Sequence, residues 1–343
     1  MCVRAGRTPQ PLVVADVAVG DEQAVADGIL HCPDCQHEYP VISGIPIIVP
    51  ELARLLTERG VELLLRDDLD PMLEGLVGDA IGPDSWFDIM RQVQSTYAWD
   101  GYADLDPAEG DPGDGPRPGA ARRCLARLLA LAGETGPVRR VLDIGCASGR
   151  TSFDLAAAFP EALVLGADIH LAVLRIAQMA RAGRVSYPRR RIGLVYDRRQ
   201  FAVSIDGAER TDFWACDALA LPMDAGSIDV CLALNLLDCV PDPGALLRSL
   251  AGVLGTGGRL LMATPYDWST RATQPAFWLG GHSQRALHGG SGEAFLHAMV
   301  AGMVGLGAGL VVVGEQAEWP WQTRLHQRSA VSYRSHLVAM ERR

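Results

Sequence analysis

Val141-Leu-Asp-Ile-Gly-Cys-Ala-Ser-Gly-Arg150 is the stretch on which the reading of this chain turns. An apolar run reaches Asp143, passes through Gly145 and Gly149, and opens into Ser152–Ala158, which reads as a helix. Glycines at these places let a backbone turn tightly and come close to a ligand. The N-terminus of the following helix offers unpaired N–H groups to a polar or anionic group. A glycine turn alone is a weak signal, so its neighbours carry the case. Val138–Ile144 reads as the buried strand before it and Ala162–Asp168 as the strand after it. Further strands are predicted at Phe213–Ala215, Ile228–Leu234 and Arg259–Ala263, with helices at Ala121–Ala132, Leu171–Ala182 and Pro243–Leu254. Alternation of this kind predicts an α/β fold with a parallel sheet covered on both faces. Leu310–Val313 and Val331–Met340 are expected to close that sheet as a linked pair.

Two acids sit where such a sheet would present them. Asp168 ends the second strand, where a carboxylate can accept ribose hydroxyls, and Asp217 ends the third, near an adenine amino group. Taken together, Asp143-Ile-Gly-Cys-Ala-Ser-Gly149, Asp168, Asp217-Ala218, Ser227–Asn235 and Gly257–Met262 resemble the motifs of class I S-adenosylmethionine methyltransferases over about residues 120–264. The resemblance implies a Rossmann-like seven-stranded sheet and S-adenosylmethionine as cofactor. It also implies a cofactor site formed by Asp143, Gly145, Cys146, Ala147, Gly149, Asp168, Ile169, Asp217, Ala218 and Asn235. A nicotinamide-dinucleotide oxidoreductase fits less well, because the turn is not Gly-x-Gly-x-x-Gly.

Bulk properties narrow the partners. The chain has 343 residues, 48% hydrophobic and 21% charged, with a formal net charge of -10. Such a composition supports a large core, and the acidic balance disfavours stable nucleic-acid binding through a broad basic face. The run Arg189-Arg190-Arg191 with Arg198 and Arg199 is the local exception, and a solvated loop or helix end is its expected form. The longest apolar stretch, Ala294–Val313, is broken by His297 and glycines, which argues against a membrane span. With no secretory leader pattern the expected location is cytoplasmic, and the eight cysteines are expected as thiols or metal ligands.

Three regions are expected: a β-rich segment at 1–50, a helical lid and linker at 51–119, and the main domain at 120–343. Leu52, Leu55, Leu56, Leu63 and Leu64 suggest a helix in the second, and the Pro/Gly/Asp-rich run 106–119 a linker or exposed loop. Cys32-Pro-Asp-Cys35 supplies half of a tetrahedral zinc site. Together with His37–Pro50 it resembles a zinc-ribbon-like domain that precedes some methyltransferases and also occurs as a separate activator of tRNA and protein methyltransferases. That family usually carries a second Cys-x-x-Cys near its start, where this chain has Cys2 alone. Zinc on Cys2, Cys32 and Cys35 with His31 or His37, and a metal-free β-rich module, are both left open.

The segments after the last two parallel strands bear on the acceptor. Asn235-Leu-Leu-Asp238, Pro265-Tyr-Asp-Trp268 and Trp278-Leu-Gly-Gly-His282 are similar to elements of the methyltransferase module of ovothiol biosynthesis, a 4-mercaptohistidine N1-methyltransferase. The likeness implies a small polar acceptor, an imidazole or amino-acid-derived nitrogen. Tyr266, His282 and Asp238 are the catalytic candidates, His282 as a base. Tyr97, Tyr102, Asp267, Trp268 and Trp278 are the acceptor-binding candidates, Tyr97, Trp99 and Tyr102 being expected from the lid, and Trp319, Trp321, Arg324, His326 and Arg328 either line the pocket or brace the last strands. O- or C-methylation of a natural product, an RNA methyltransferase using the ribbon, and a non-catalytic binding module are the competing readings. A small-molecule acceptor is the expected partner, and a homodimer is left open.

Overall fold

The computed structural model describes residues 1–3, 10–21, 23–42, 44–51, 83–302 and 309–343. Leu52, Leu55, Leu56, Leu63 and Leu64, expected to be helical, lie outside the described residues. The chain begins with four strands, β1 (Val13–Asp21), β2 (Ala24–His31), β3 (Glu38–Ile42) and β4 (Ile45–Ile48). Among the described residues the next helices are α1 (Trp86–Tyr102) and α2 (Ala120–Ala132). Alternation then sets in: β5 (Arg140–Ile144), α3 (Arg150–Ala158), β6 (Leu163–Asp168), α4 (Leu171–Arg181). A hairpin of β7 (Arg184–Ile192) and β8 (Val195–Ala202) interrupts it before β9 (Thr211–Cys216), β10 (Ile228–Leu234), α5 (Pro243–Val253) and β11 (Leu254–Thr264). The chain closes with α6 (Gly292–Val300) and a long hairpin, β12 (Leu310–His326) and β13 (Ser329–Arg342).

Among the described residues eleven strands form one sheet in the order β1-β2-β3-β4-β9-β6-β5-β10-β11-β13-β12. From β4 to β11 every pairing is parallel, and β13 and β12 run antiparallel at the far edge. The seven strands from β9 to β12 are the Rossmann-like sheet expected from the sequence. The β-rich N-terminal segment is continuous with it, because Ile47 and Ile48 pair with Ala215 and Cys216.

Strand alternation divides the core between the faces. Leu142, Ile144, Leu260 and Met262 pack with Leu246, Leu247 and Leu250 of α5. Val141, Leu232, Leu261 and Ala263 pack with Leu125 and Leu128 of α2. Ile45 and Ile47 of β4, Trp99 and Tyr102 of α1, Leu174 of α4 and Tyr187 of the β7–β8 hairpin share a third cluster.

The basic run folds as the β7–β8 hairpin rather than as the expected loop or helix end, because its charges find distant partners. Arg199 makes two bonds of 2.6 and 2.7 Å to Asp106, and Arg189 lies 2.5 Å from Glu109. Asp106 and Glu109 belong to the run expected as a linker, which is thereby tied down, Trp99 Nε1 also donating to Glu109. The tip of the β12–β13 hairpin reaches the same place, with Arg324 donating to the Arg190 carbonyl at 2.8 Å. Among the described residues no helix is long and apolar enough to cross a membrane.

Candidate functional site

The carboxyl ends of five adjacent parallel strands open onto one cavity of about 680 Å³. Gly145–Ala147 follow β5, Ile169 and His170 follow β6, and Asp217 and Ala218 follow β9. Asn235–Val240 follow β10, and Pro265 and Asp267 follow β11. The strand order runs outward from β5 through β6 to β9 and then crosses back to β10 on the other side of β5, so the crevice lies where open α/β sheets hold their ligands. Val93, Thr96 and Tyr97 of α1 cover it from one side, Trp321, Thr323 and Tyr333 of the long hairpin from another, and Val49–Glu51 after β4 from a third.

The turn after β5 is built as its glycines suggested. Gly145 and Gly149 have φ of 75° and 81°, a region costly for other residues. A Cβ on Gly149 would stand 2.6 Å from both Ala177 Cβ and the Phe213 ring, so this glycine also lets α3 pack closely. Gly145 N and Cys146 N both bond the Ala167 carbonyl, at 2.7 and 3.1 Å, tying the turn to β6. Asp143 accepts 2.7 Å bonds from Thr151 Oγ1 and Ser152 Oγ on one oxygen, Oδ2, so it holds the start of α3 against the strand. Burial pushes its carboxyl up to about 6 despite those two donors. Tyr102 lies beneath the turn, buried, its hydroxyl donating to the Ser148 carbonyl at 2.6 Å.

Asp168 and Asp238 stand on the same cavity in opposite electrostatic settings. Asp168 Oδ2 accepts from Ala147 N at 3.0 Å, and Oδ1 accepts from His170 N at 2.9 Å with His170 Nδ1 at 3.2 Å. Burial raises its pKa, yet the His170 ring and these backbone donors outweigh burial and hold it below the ordinary carboxylate value. Asp238 is buried, and only its Oδ2 is engaged, by Asp267 N at 2.7 Å. Among the described residues its Oδ1 is buried without a partner, and burial pushes the carboxyl up to about 6 against the Asp267 N–H and its own backbone N–H. Asn235, at φ 48°, likewise turns a buried and unpartnered Oδ1 in the cavity wall. Asp217 Oδ1 caps its own loop by accepting from Leu219 N at 2.8 Å.

Each of these features is compatible with a bound S-adenosylmethionine. The volume suits a ligand of that size together with a small second molecule. Asp168 has donors that keep it ionised, and Asn235 and Asp238 have acceptor atoms waiting for donors. The residues present therefore fit the cofactor. Residues 142–262 match the family described as a methyltransferase domain. The matched segment runs from β5 to β11 and contains every cavity loop from Asp143 to Val240. Among curated relatives, the 27-O-demethylrifamycin SV methyltransferase of Amycolatopsis mediterranei is 28% identical over 184 residues, covering 53% of this chain and 56% of the relative. A ubiquinone biosynthesis O-methyltransferase of Marinobacter nauticus is 32% identical over 126 residues, 37% of this chain and 44% of that one. The chain thus spans about half the length of the curated relatives it matches. Among solved structures, the Bacillus subtilis YcgJ protein aligns with TM-score 0.41 at 16% identity over 65% of this chain and 99% of that one. The [4+2]-cyclase SpnF aligns with TM-score 0.44 at 16% identity over 73% and 96%.

All ten residues expected at the cofactor side lie within the matched segment, and nine of them line the cavity, Gly149 acting from behind through packing. The acceptor residues divide. Tyr97, Asp238 and Asp267 line the cavity. Tyr102, Tyr266, Trp268, Trp278 and His282 are outside its walls. Tyr266 takes φ 55°, which swings its ring away to bond His336 Nδ1 at 2.9 Å. Trp268 and Trp278 stack on each other, centroids 6.2 Å apart, and His282 is exposed beyond them. Tyr333 and Thr323 stand in the wall and were not anticipated; the alternation along Val331–Tyr333 was the available signal.

At the N-terminal segment the Sγ atoms of Cys2, Cys32 and Cys35 lie within 4.8 Å of one another, Cys2 to Cys35 being 3.7 Å. Cys2 also meets the Tyr39 hydroxyl at 3.3 Å. His31 Nδ1 and His37 Nε2, close in sequence to this cluster, are buried without hydrogen-bond partners among the described residues.

Proposed function

We propose that the chain is an S-adenosylmethionine-dependent methyltransferase whose acceptor is a small polar molecule, an imidazole or amino-acid-derived nitrogen. The observation that carries this reading is the unpartnered buried Asp238 Oδ1, on the same cavity as Asp168 and the Gly145 turn. The bound cofactor supplies a methyl group already activated as a sulfonium, so positioning the acceptor provides much of the rate. Asp168 would hold ribose hydroxyls. Roughly three of its four lone-pair sites are already used, so taking both hydroxyls asks the His170 ring to yield its contact. Gly145–Ala147 would follow the amino-acid end, Asp217 and Ala218 the adenine edge, and Asn235 would accept a hydrogen bond through its free oxygen.

Asp238 and Asp267 give the acceptor end two carboxylates, and Tyr97 and Tyr333 give it aromatic surface, a combination that suits a planar or cationic nitrogen group. A carboxyl raised to about 6 is also matched to receiving the proton that a nitrogen sheds on methylation near neutral pH. Turnover of a panel of imidazoles and amines, read as demethylated cofactor, tests the proposal. Absence of cofactor binding in isothermal titration would end it. O-methylation is the second reading, supported by the names of the two curated relatives, and product NMR separates N- from O-methyl groups. An RNA substrate is opposed by the pairing of Arg189 and Arg199 with Glu109 and Asp106, and lack of a gel shift at low salt would remove it.

The thiol cluster supports zinc on Cys2, Cys32 and Cys35, with His31 or His37 as fourth ligand. Metal analysis of the purified chain before and after Cys35→Ser tests it. A cytoplasmic location agrees with cysteines that form no disulfide among the described residues.

A further inference from the structure

Behind the loop that carries Asp267, three side chains from three separate elements converge: His297 of α6, Glu315 of β12 and His336 of β13. Their ligand atoms all lie within 4.8 Å of one another. Both imidazoles turn Nε2 toward the same oxygen, Glu315 Oε2, at 2.7 Å from His297 and 3.7 Å from His336. A simple hydrogen-bonded chain accounts for the first distance and leaves the second too long for a bond. A tetrahedral zinc with ligands at about 2.0–2.1 Å sets neighbouring donor atoms about 3.3 Å apart, a value that the two distances straddle.

The surroundings agree. His336 is buried, and its other nitrogen, Nδ1, is held at 2.9 Å by the Tyr266 hydroxyl, so the ring is locked with Nε2 aimed at Glu315. Metal-ligating histidines are oriented in this way by a partner on the second nitrogen. His297 and Glu315 are 44% and 43% exposed, which leaves an entry path and room for water in the remaining position. Glu293, one turn before His297 on α6, adds negative charge near His336 and Tyr266.

We propose that His297, Glu315 and His336 form a divalent-metal site suited to zinc, separate from the cavity and from the cysteine cluster. The ion would clamp α6 to the β12–β13 hairpin and fix Tyr266, whose neighbour Asp267 donates to Asp238. Zinc is titrated calorimetrically into the full chain carrying Cys32→Ser and Cys35→Ser, which leaves the thiol cluster a single sulfur, with thermal melts to show that each variant is folded. One equivalent should bind. His297→Ala and Glu315→Gln, both at partly exposed positions, should each weaken it at least tenfold, and Tyr266→Phe by about 10- to 100-fold. No binding to the Cys32→Ser/Cys35→Ser chain, or unchanged affinity when His297→Ala is added to it and the chain is folded, would overturn the site. Neither result bears on cofactor binding, which is measured separately.

Discussion

Asp238→Asn should make the protein more stable at alkaline pH while removing its proposed activity. Burial is the main influence on this carboxyl and lifts it from 3.8 to about 6. At 1.36 kcal/mol for each pKa unit, the ionised form is penalised by roughly 3 kcal/mol in the folded protein. The folded value lies above the unfolded one, so the contribution of the carboxyl to stability is intact below about pH 4 and is lost as pH rises through 6. Asparagine is neutral throughout and keeps an oxygen for the Asp267 N–H. Its advantage should therefore be about 3 kcal/mol at pH 8 and only about 0.5 kcal/mol at pH 4. With an unfolding entropy near 2.1 cal/mol/K per residue over 343 residues, 3 kcal/mol corresponds to about 4 °C in Tm. Melting curves of both proteins at the two pH values, followed by circular dichroism, measure it, and demethylated cofactor released with an acceptor measures activity. A variant less stable at pH 8, or one with the same advantage at both pH values, would refute the argument that an uncompensated carboxylate sits in that wall.

Other changes have equally definite outcomes. Asp168→Ala removes a charged acceptor from the cavity, and at about 1.5–3 kcal/mol for such a bond cofactor affinity by calorimetry should fall roughly 10- to 150-fold. Gly149→Ala forces φ 81° on an alanine and drives its Cβ to 2.6 Å from Ala177 and Phe213; urea unfolding should show a loss of about 2–6 kcal/mol. Arg199→Ala strands Asp106, whose side chain is only 2% exposed, at a cost of about 3–5 kcal/mol in the same measurement, and adding Asp106→Ala should recover part of it.

How much could be read beforehand depended on whether the signal was local. Strands such as Ile228–Leu234 were legible because both faces are buried and the run is continuously apolar. The turn from Asp143 to Gly149 and the acid at Asp168 were legible because a strand end, a positive φ and a helix start occur within a few residues. The β7–β8 hairpin was not, since Arg189 and Arg199 are neutralised by Glu109 and Asp106 some 80 and 93 positions away. Attachment of β4 to β9 was hidden for the same reason. Near the acceptor, proximity to the end of β11 suggested Tyr266 and Asp267 alike, yet φ 55° at Tyr266 sends the two side chains to opposite sides of the loop.

The contrast between Asp168 and Asp238 carries the functional argument further than either residue alone. One fold could have supplied donors to both carboxylates. It surrounds Asp168 with Ala147 N, His170 N and the His170 ring, whereas among the described residues Asp238 receives backbone N–H groups alone and one of its oxygens is left without a partner. A carboxylate kept ionised by its own protein can accept hydrogen bonds from neutral hydroxyls at any pH near neutrality, without needing charge from the ligand. A carboxylate denied such donors is stabilised most by a partner that brings a proton or a positive charge. Under the proposed function the two ends of the cavity would thus suit different guests, a hydroxyl-bearing molecule at β6 and a nitrogen-bearing one beyond β10. A neutral acceptor bound equally well by the wild type and by Asp238→Asn across the range around pH 6 would contradict that division.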